Sequence, residues 1–176
     1  MKQETKQRIC QSVAAFRLPR YTEIPNVGLY LEQAAKYIAE YLAPLGEAAL
    51  TSSMISNYVK KGLIDSPVKK LYGRDQIAYL FFITIAKSVL SLDALRGFLR
   101  LQQQTYPLET AYNYFCREYE GLLRFTFDLE DTIDAQNDDD SDEKRLLFTC
   151  VVAAVQKVYL EKCLEAIAAE SEEISA

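Results

Sequence analysis

The 176-residue chain has no histidine and no tryptophan, and only six glycines, five prolines and four cysteines. Without histidine, no His-dependent triad and no imidazole metal site can be built from this chain. None of the glycines forms a G-x-G pattern, so a glycine-rich phosphate loop is missing as well. Cys10, Cys116, Cys150 and Cys163 make no C-x-x-C pair and read as free thiols of a reducing compartment. The longest apolar run, "IAYLFFITIA" from Ile77 to Ala86, ends at Lys87 and is about half of what a membrane span requires. The opening "MKQETKQRIC" has charges but no apolar core behind them, so no signal peptide and a cytoplasmic location are expected. Acidic side chains fall in one loop or on helix surfaces, poorly placed for paired acid–base work. No enzyme activity, cofactor or membrane partner is therefore expected.

What is present is an ordinary globular composition, 49% apolar and 26% charged, with an uneven charge distribution. The net charge is −5, yet residues 1–74 hold 11 Lys/Arg against 6 Asp/Glu, whereas residues 75–176 hold 9 against 19. A basic first half of this kind suggests an electrostatic partner for that half.

The pattern divides the chain into three parts. Residues 1–25 read as an N-terminal helix (about 4–16) followed by an extended connector with Pro19 and Pro25. Residues 26–102 open at Asn26, a candidate N-cap, with Leu31, Ala35, Ile38, Leu42 and Leu45 at helical spacing until Pro44 and Gly46 stop the helix. Thr51 or Ser52 caps a short helix ending at Gly62, with Met54, Ile55, Tyr58 and Val59 inward. "LIDSPVKKLY" (63–72) reads as a hairpin pairing Leu63-Ile64 with Leu71-Tyr72. A buried helix from about Arg74 to Val89 and a helix capped by Ser91 follow. Residues 103–176 hold a helix opened by Pro107, an acidic loop (128–143) and a long helix whose apolar first half needs a cover, from this chain or a second copy.

Helix, turn, short helix, hairpin, buried helix and short helix, in that order, make a winged helix-turn-helix. The expected fold is thus all-α with a small β wing, packed on a C-terminal helical part. In such a unit the second helix enters the major groove of double-stranded DNA and the wing meets the backbone. Ser52, Ser53, Ser56, Asn57, Lys60 and Lys61 face away from the core, with Ser53, Asn57 and Lys60 on one strip. Small hydroxyls allow close approach to base edges, and asparagine can pair bidentately with adenine. Lys61, Lys69, Lys70 and Arg74 are candidates for holding phosphates. The alternatives are a solvated helix face, or a winged helix that binds a protein instead of DNA.

"MISNYVKKGLI", "KLYGRDQIAYL" and "IAKSVLSLDALRGFL" resemble the DNA-binding module of MerR-like regulators. Gly62, Leu63, Tyr72, Ile77, Ser91, Leu92 and Leu95 fall on matching positions, Tyr58 matches the second tyrosine of the family's helix, and Lys70 takes the place of the wing arginine. Ser56 and Asn57 depart from the pattern, standing where the family has an arginine and its first tyrosine. More of the chain, from "LPRYTEIPNVGLYLEQAAKYIAEYL" (18–42) through "YGRDQIAYL", resembles an uncharacterised family found largely in Gram-positive bacteria and catalogued as domain of unknown function 1836. These resemblances imply a transcriptional regulator. The MerR-like one also implies a homodimer joined through residues 143–170 and a small-molecule effector held by the aromatic-rich second half. The alternative for those aromatics is core packing.

The acidic run does not read as a calcium loop. Starting from Asp138, the sixth position is Glu143 rather than glycine, and the twelfth is Thr149 rather than glutamate. A solvated acidic loop is expected instead.

Overall fold

Residues 1–46, 50–132 and 141–175 are described in a computed structural model of the protein, and among them lie seven α-helices and one two-stranded sheet. The centre of the acidic run, 133–140, falls outside the described residues. In chain order the elements are α1 (Gln3–Val13), β1 (Leu29–Tyr30), α2 (Leu31–Leu42), α3 (Ser52–Lys60), β2 (Leu71–Tyr72), α4 (Arg74–Ala86), α5 (Leu92–Thr105), α6 (Leu108–Thr126) and α7 (Asp142–Ser175). None of these helices is long and apolar enough to cross a membrane. All four cysteines are free, and burial pushes the Cys116 and Cys150 thiols up to about 12 and about 11.

Local signals explain several helix ends. Thr51 Oγ1 accepts the N–H of Met54 and Ser91 Oγ that of Ala94, each 3.2 Å, satisfying donors that have no partner within the helix. Pro107 occupies the cap position of α6, one residue before its first turn. The helix after Asn26 begins later than its apolar spacing suggests. Residues 29–30 are spent on a strand, and α2 starts at Leu31, where Gln33 Oε1 accepts the Tyr30 N–H at 2.9 Å.

The expected pairing of 63–64 with 71–72 does not occur. β2 runs antiparallel to β1 instead, Leu29 opposite Tyr72 and Tyr30 opposite Leu71. Leu63 and Ile64 are buried core residues beyond the end of α3. An apolar pair leaving a helix carries no periodicity, so burial by side chain and burial by pairing look alike in sequence. At Gly28 the backbone turns with φ +76°, and an added Cβ would stand 3.0 Å from Leu71 Cβ. Gly28→Ala is therefore expected to cost about 1–2 kcal/mol in urea unfolding, from the left-handed backbone and the crowding of Leu71 together. A cost below half a unit would mean the sheet shifts freely.

The core is built on α4. Nine of its thirteen residues are buried, which accounts for a sequence apolar on almost every side. It is flanked by α2, α6 and α7, with Phe81 meeting Tyr37 and Tyr41 edge-on and Phe82 meeting Phe115 likewise. Tyr112, Phe115, Tyr119 and Phe127 of the aromatic-rich second half are buried core members. α6 and α7 form the most extensive helix pair, and α1 folds back on α7.

The segment between α1 and β1 is anchored closely. Leu18 and Ile24 are buried, and Tyr21–Glu23 forms a short 3-10 turn. Glu120 on α6, only 3% exposed, accepts the Leu18 N–H at 2.8 Å and both guanidinium arms of Arg20 at 2.7 Å.

Candidate nucleic-acid interface

α3 owes its two-faced character to spacing. Ile55 and Tyr58 are buried and Met54 and Val59 half-buried, as their positions predict. Ser53, Asn57 and Lys60 lie exposed on the far side with Lys61, while Ser52 and Ser56 are half-buried. The helix ends in a Schellman arrangement, with Gly62 at φ +66°. Leu63 N–H donates to Tyr58 O (3.0 Å) and Gly62 N–H to Val59 O (2.9 Å). Arg96 on α5 adds a further donor, its Nε reaching Lys61 O at 3.1 Å. The C-terminal end of α3 is thus held from two directions with its lysines left outside.

The segment before β2 closes as a two-residue turn. Val68 and Leu71 exchange backbone hydrogen bonds at 3.1 and 2.9 Å, and the residues between them, Lys69 and Lys70, both sit at positive φ, 50° and 67°. This is the type I′ geometry that ordinarily selects Asn-Gly, because a side chain at φ above zero is strained. Here both places are given to lysine. Among the described residues, the side-chain ammonium groups of Lys60, Lys61, Lys69 and Lys70 make no ion pair and no hydrogen bond. Val68, next to the tip, is 74% exposed and adds apolar surface there.

Arg74 is placed differently from the lysines. Its Nε donates to Ile24 O at 3.0 Å and an Nη to Thr22 O at 3.3 Å, and its guanidinium lies 5.4 Å from the Tyr21 ring centroid. It is used within the chain, tying α4 to the segment ahead of β1. Tyr21 completes this joint: its hydroxyl donates to Asp75, its N–H donates to Asn113 Oδ1 at 2.9 Å, and the Asp75 contact with burial pushes the phenol up to about 12.

Gln76 is a supporting residue that the composition of the face did not single out. Its Oε1 accepts the Gly73 N–H at 2.7 Å and its Nε2 donates to Asp65 O at 2.8 Å, bracing both ends of the segment that carries the lysine turn. A glutamine three places after a helix-start glycine is the capping-box signal that could have found it. No pattern of that kind marks Arg96 or Tyr21, whose partners are distant in sequence.

No curated protein and no solved structure matches the chain. A family profile does, over residues 19–115, which take in the connector, the sheet, α2 to α5 and the first turns of α6. With more than half its length matched, the chain belongs to the family described as "Domain of unknown function (DUF1836)".

Proposed function

We propose that the protein is a sequence-specific DNA-binding transcriptional regulator acting as a homodimer, with residues 26–102 working as a winged helix-turn-helix of the MerR-like kind. The observation that carries the reading is the pair of lysines held in a left-handed two-residue turn, in a chain whose α3 exposes the Ser53–Asn57–Lys60 strip. Strain of this sort persists where function requires it, and unpaired cations at such a tip suit phosphates. Ser52, Ser53, Ser56, Asn57 and Lys60 would meet the groove, and Lys61, Lys69 and Lys70 the backbone. Arg74 would act mainly by holding the fold. Support for the dimer comes from α7, 34 residues and about 50 Å long, on which Leu146, Leu160, Leu164 and Ile167 are exposed. A second copy of α7 would cover them.

The test is selection of sheared genomic fragments on the purified protein at near-physiological salt, followed by sequencing of the retained pool. Enrichment of a few fragments sharing an inverted repeat is the expected result. Uniform retention that vanishes as salt rises would reduce the reading to non-specific charge contact. No retention would favour a protein partner for the same face, with Val68 as an apolar contact. On an enriched site, Asn57→Ala is expected to lower discrimination at one base position by about 1–3 kcal/mol, or roughly 5- to 150-fold, while leaving the salt dependence unchanged.

A further inference from the structure

Between α5, α6 and the first turn of α7 lies a cavity of about 340 Å³. That is within the range of roughly 300–1,000 Å³ typical of small-molecule sites. Phe98, Leu101 and Leu147 give it an apolar wall, and a narrower space of about 40 Å³ adjoins it between Phe82, Phe98 and Phe115. The charged groups around it are committed to one another. Arg117 and Lys144 stand over the Tyr114 ring, 5.5 and 5.6 Å from its centroid, and both interact with the buried Glu118 carboxylate. Glu143 adds a second acid, so two cations meet two acids and no surplus of either sign is left among the described residues. Several neutral polar groups of the lining are used within the chain as well. Gln102 Oε1 accepts the Tyr79 hydroxyl at 3.1 Å, Gln102 Nε2 donates to Tyr106 O at 2.8 Å, and the Thr105 hydroxyl donates to Leu101 O at 3.0 Å. Asn113 differs: its Oδ1 accepts the Tyr21 N–H at 2.9 Å, which fixes the amide and leaves its NH2 group to donate.

An apolar, ring-lined cavity with its charges balanced in place and one amide donor on its wall describes a site for a neutral molecule. We infer that this cavity binds an uncharged aromatic compound of about ten to fifteen heavy atoms that carries one carbonyl acceptor. The ligand ring would rest on Phe98, Leu101 and Leu147 with an edge toward the space between Phe82 and Phe115, since aromatic rings meet best edge-on or offset. Its carbonyl would accept from the Asn113 NH2 group. A charged ligand of the same shape is disfavoured, because it would give up its water without finding an uncommitted counter-charge. Binding here needs nothing of α3 or the lysine turn, so it stands or falls apart from DNA recognition.

The experiment is calorimetric titration of the full chain with 4-phenyl-2-butanone, 1-indanone and coumarin. The controls are 3-phenylpropionate and 4-phenylbutan-2-amine, an acid and an amine shaped like the first ketone, and indane, which lacks the acceptor of 1-indanone. Saturable one-to-one binding of at least one carbonyl compound is expected, with the acid and the amine at least about tenfold weaker than 4-phenyl-2-butanone. Asn113→Asp keeps an acceptor for the Tyr21 N–H but removes the donor, and should weaken the carbonyl compound about fivefold while leaving indane unchanged. Ala111→Phe should abolish all binding by filling the cavity, with the circular dichroism spectrum unaltered. Absence of binding by all three carbonyl compounds at millimolar concentration overturns the inference. So does an acid or an amine that binds as well as the ketone, or a carbonyl affinity that Asn113→Asp does not change.

Discussion

Lys69→Asn combined with Lys70→Gly is expected to weaken binding to an enriched DNA site about 30-fold at 0.15 M salt, while making the protein more stable. The loss follows from counterion release. Each phosphate-neutralising lysine contributes about 0.9 to the slope of log affinity against log salt, or roughly fivefold at this salt concentration. The slope should therefore fall by about 2 for the pair. The gain follows from the backbone: both positions lie at positive φ, where Asn-Gly is favoured and lysine is strained, so about 1 kcal/mol or more is recovered. The opposite signs make the variant informative. A protein that melts higher and binds DNA as the parent does would remove the turn from the interface. One that binds worse and also melts lower would owe the loss to damaged folding.

The largest effect on stability is expected at Glu120, far from that turn. Glu120→Ala leaves the Arg20 guanidinium without its counter-charge and the buried Leu18 N–H without an acceptor. Removing one member of a buried pair typically costs 3–5 kcal/mol, and because the Arg20 side chain is 29% exposed the lower end, about 3 kcal/mol, applies here. For a chain of this length that is a fall of roughly 10 °C in melting temperature. Glu120→Gln, which can still accept the Leu18 N–H, should lose less. Arg20→Met together with Glu120→Met should recover part of the loss, since apolar replacement of a buried pair is often tolerated. Urea unfolding of the three variants gives the answer. A loss under about 1 kcal/mol for Glu120→Ala would mean that water re-enters and solvates Arg20.

Both residues illustrate which features can be read from sequence. Thr51, Ser91 and Gly62 were legible because a cap acts on the next three or four residues and its chemistry is local. The burial of α4 and the two faces of α3 were legible from spacing. Glu120 was not: on a helix stripe it looks like any surface carboxylate, and its partner Arg20 is 100 residues away. The sheet failed for the same reason, since two-residue strands have no alternation to read and β1 is separated from β2 by 40 residues. Lys69 and Lys70 could be seen as charges, but their left-handed backbone could not, because lysine is not the residue that such a turn ordinarily selects. Arg74 was legible as a cation and not as a tether to Thr22 and Ile24.

The short ladder between β1 and β2 also governs how the middle of the chain comes together. By joining Tyr30 to Leu71 it closes a ring around α2 and α3, and the entropy of closing that ring is recovered only when both strands are in place. The lysine turn and α3 therefore order as one cooperative unit rather than independently, α3 being unable to settle while its ring is open. In amide exchange, the ladder amides of β1 and β2, the turn amides of Val68 and Leu71, and the capped end of α3 at Gly62 and Leu63 should open with a common free energy.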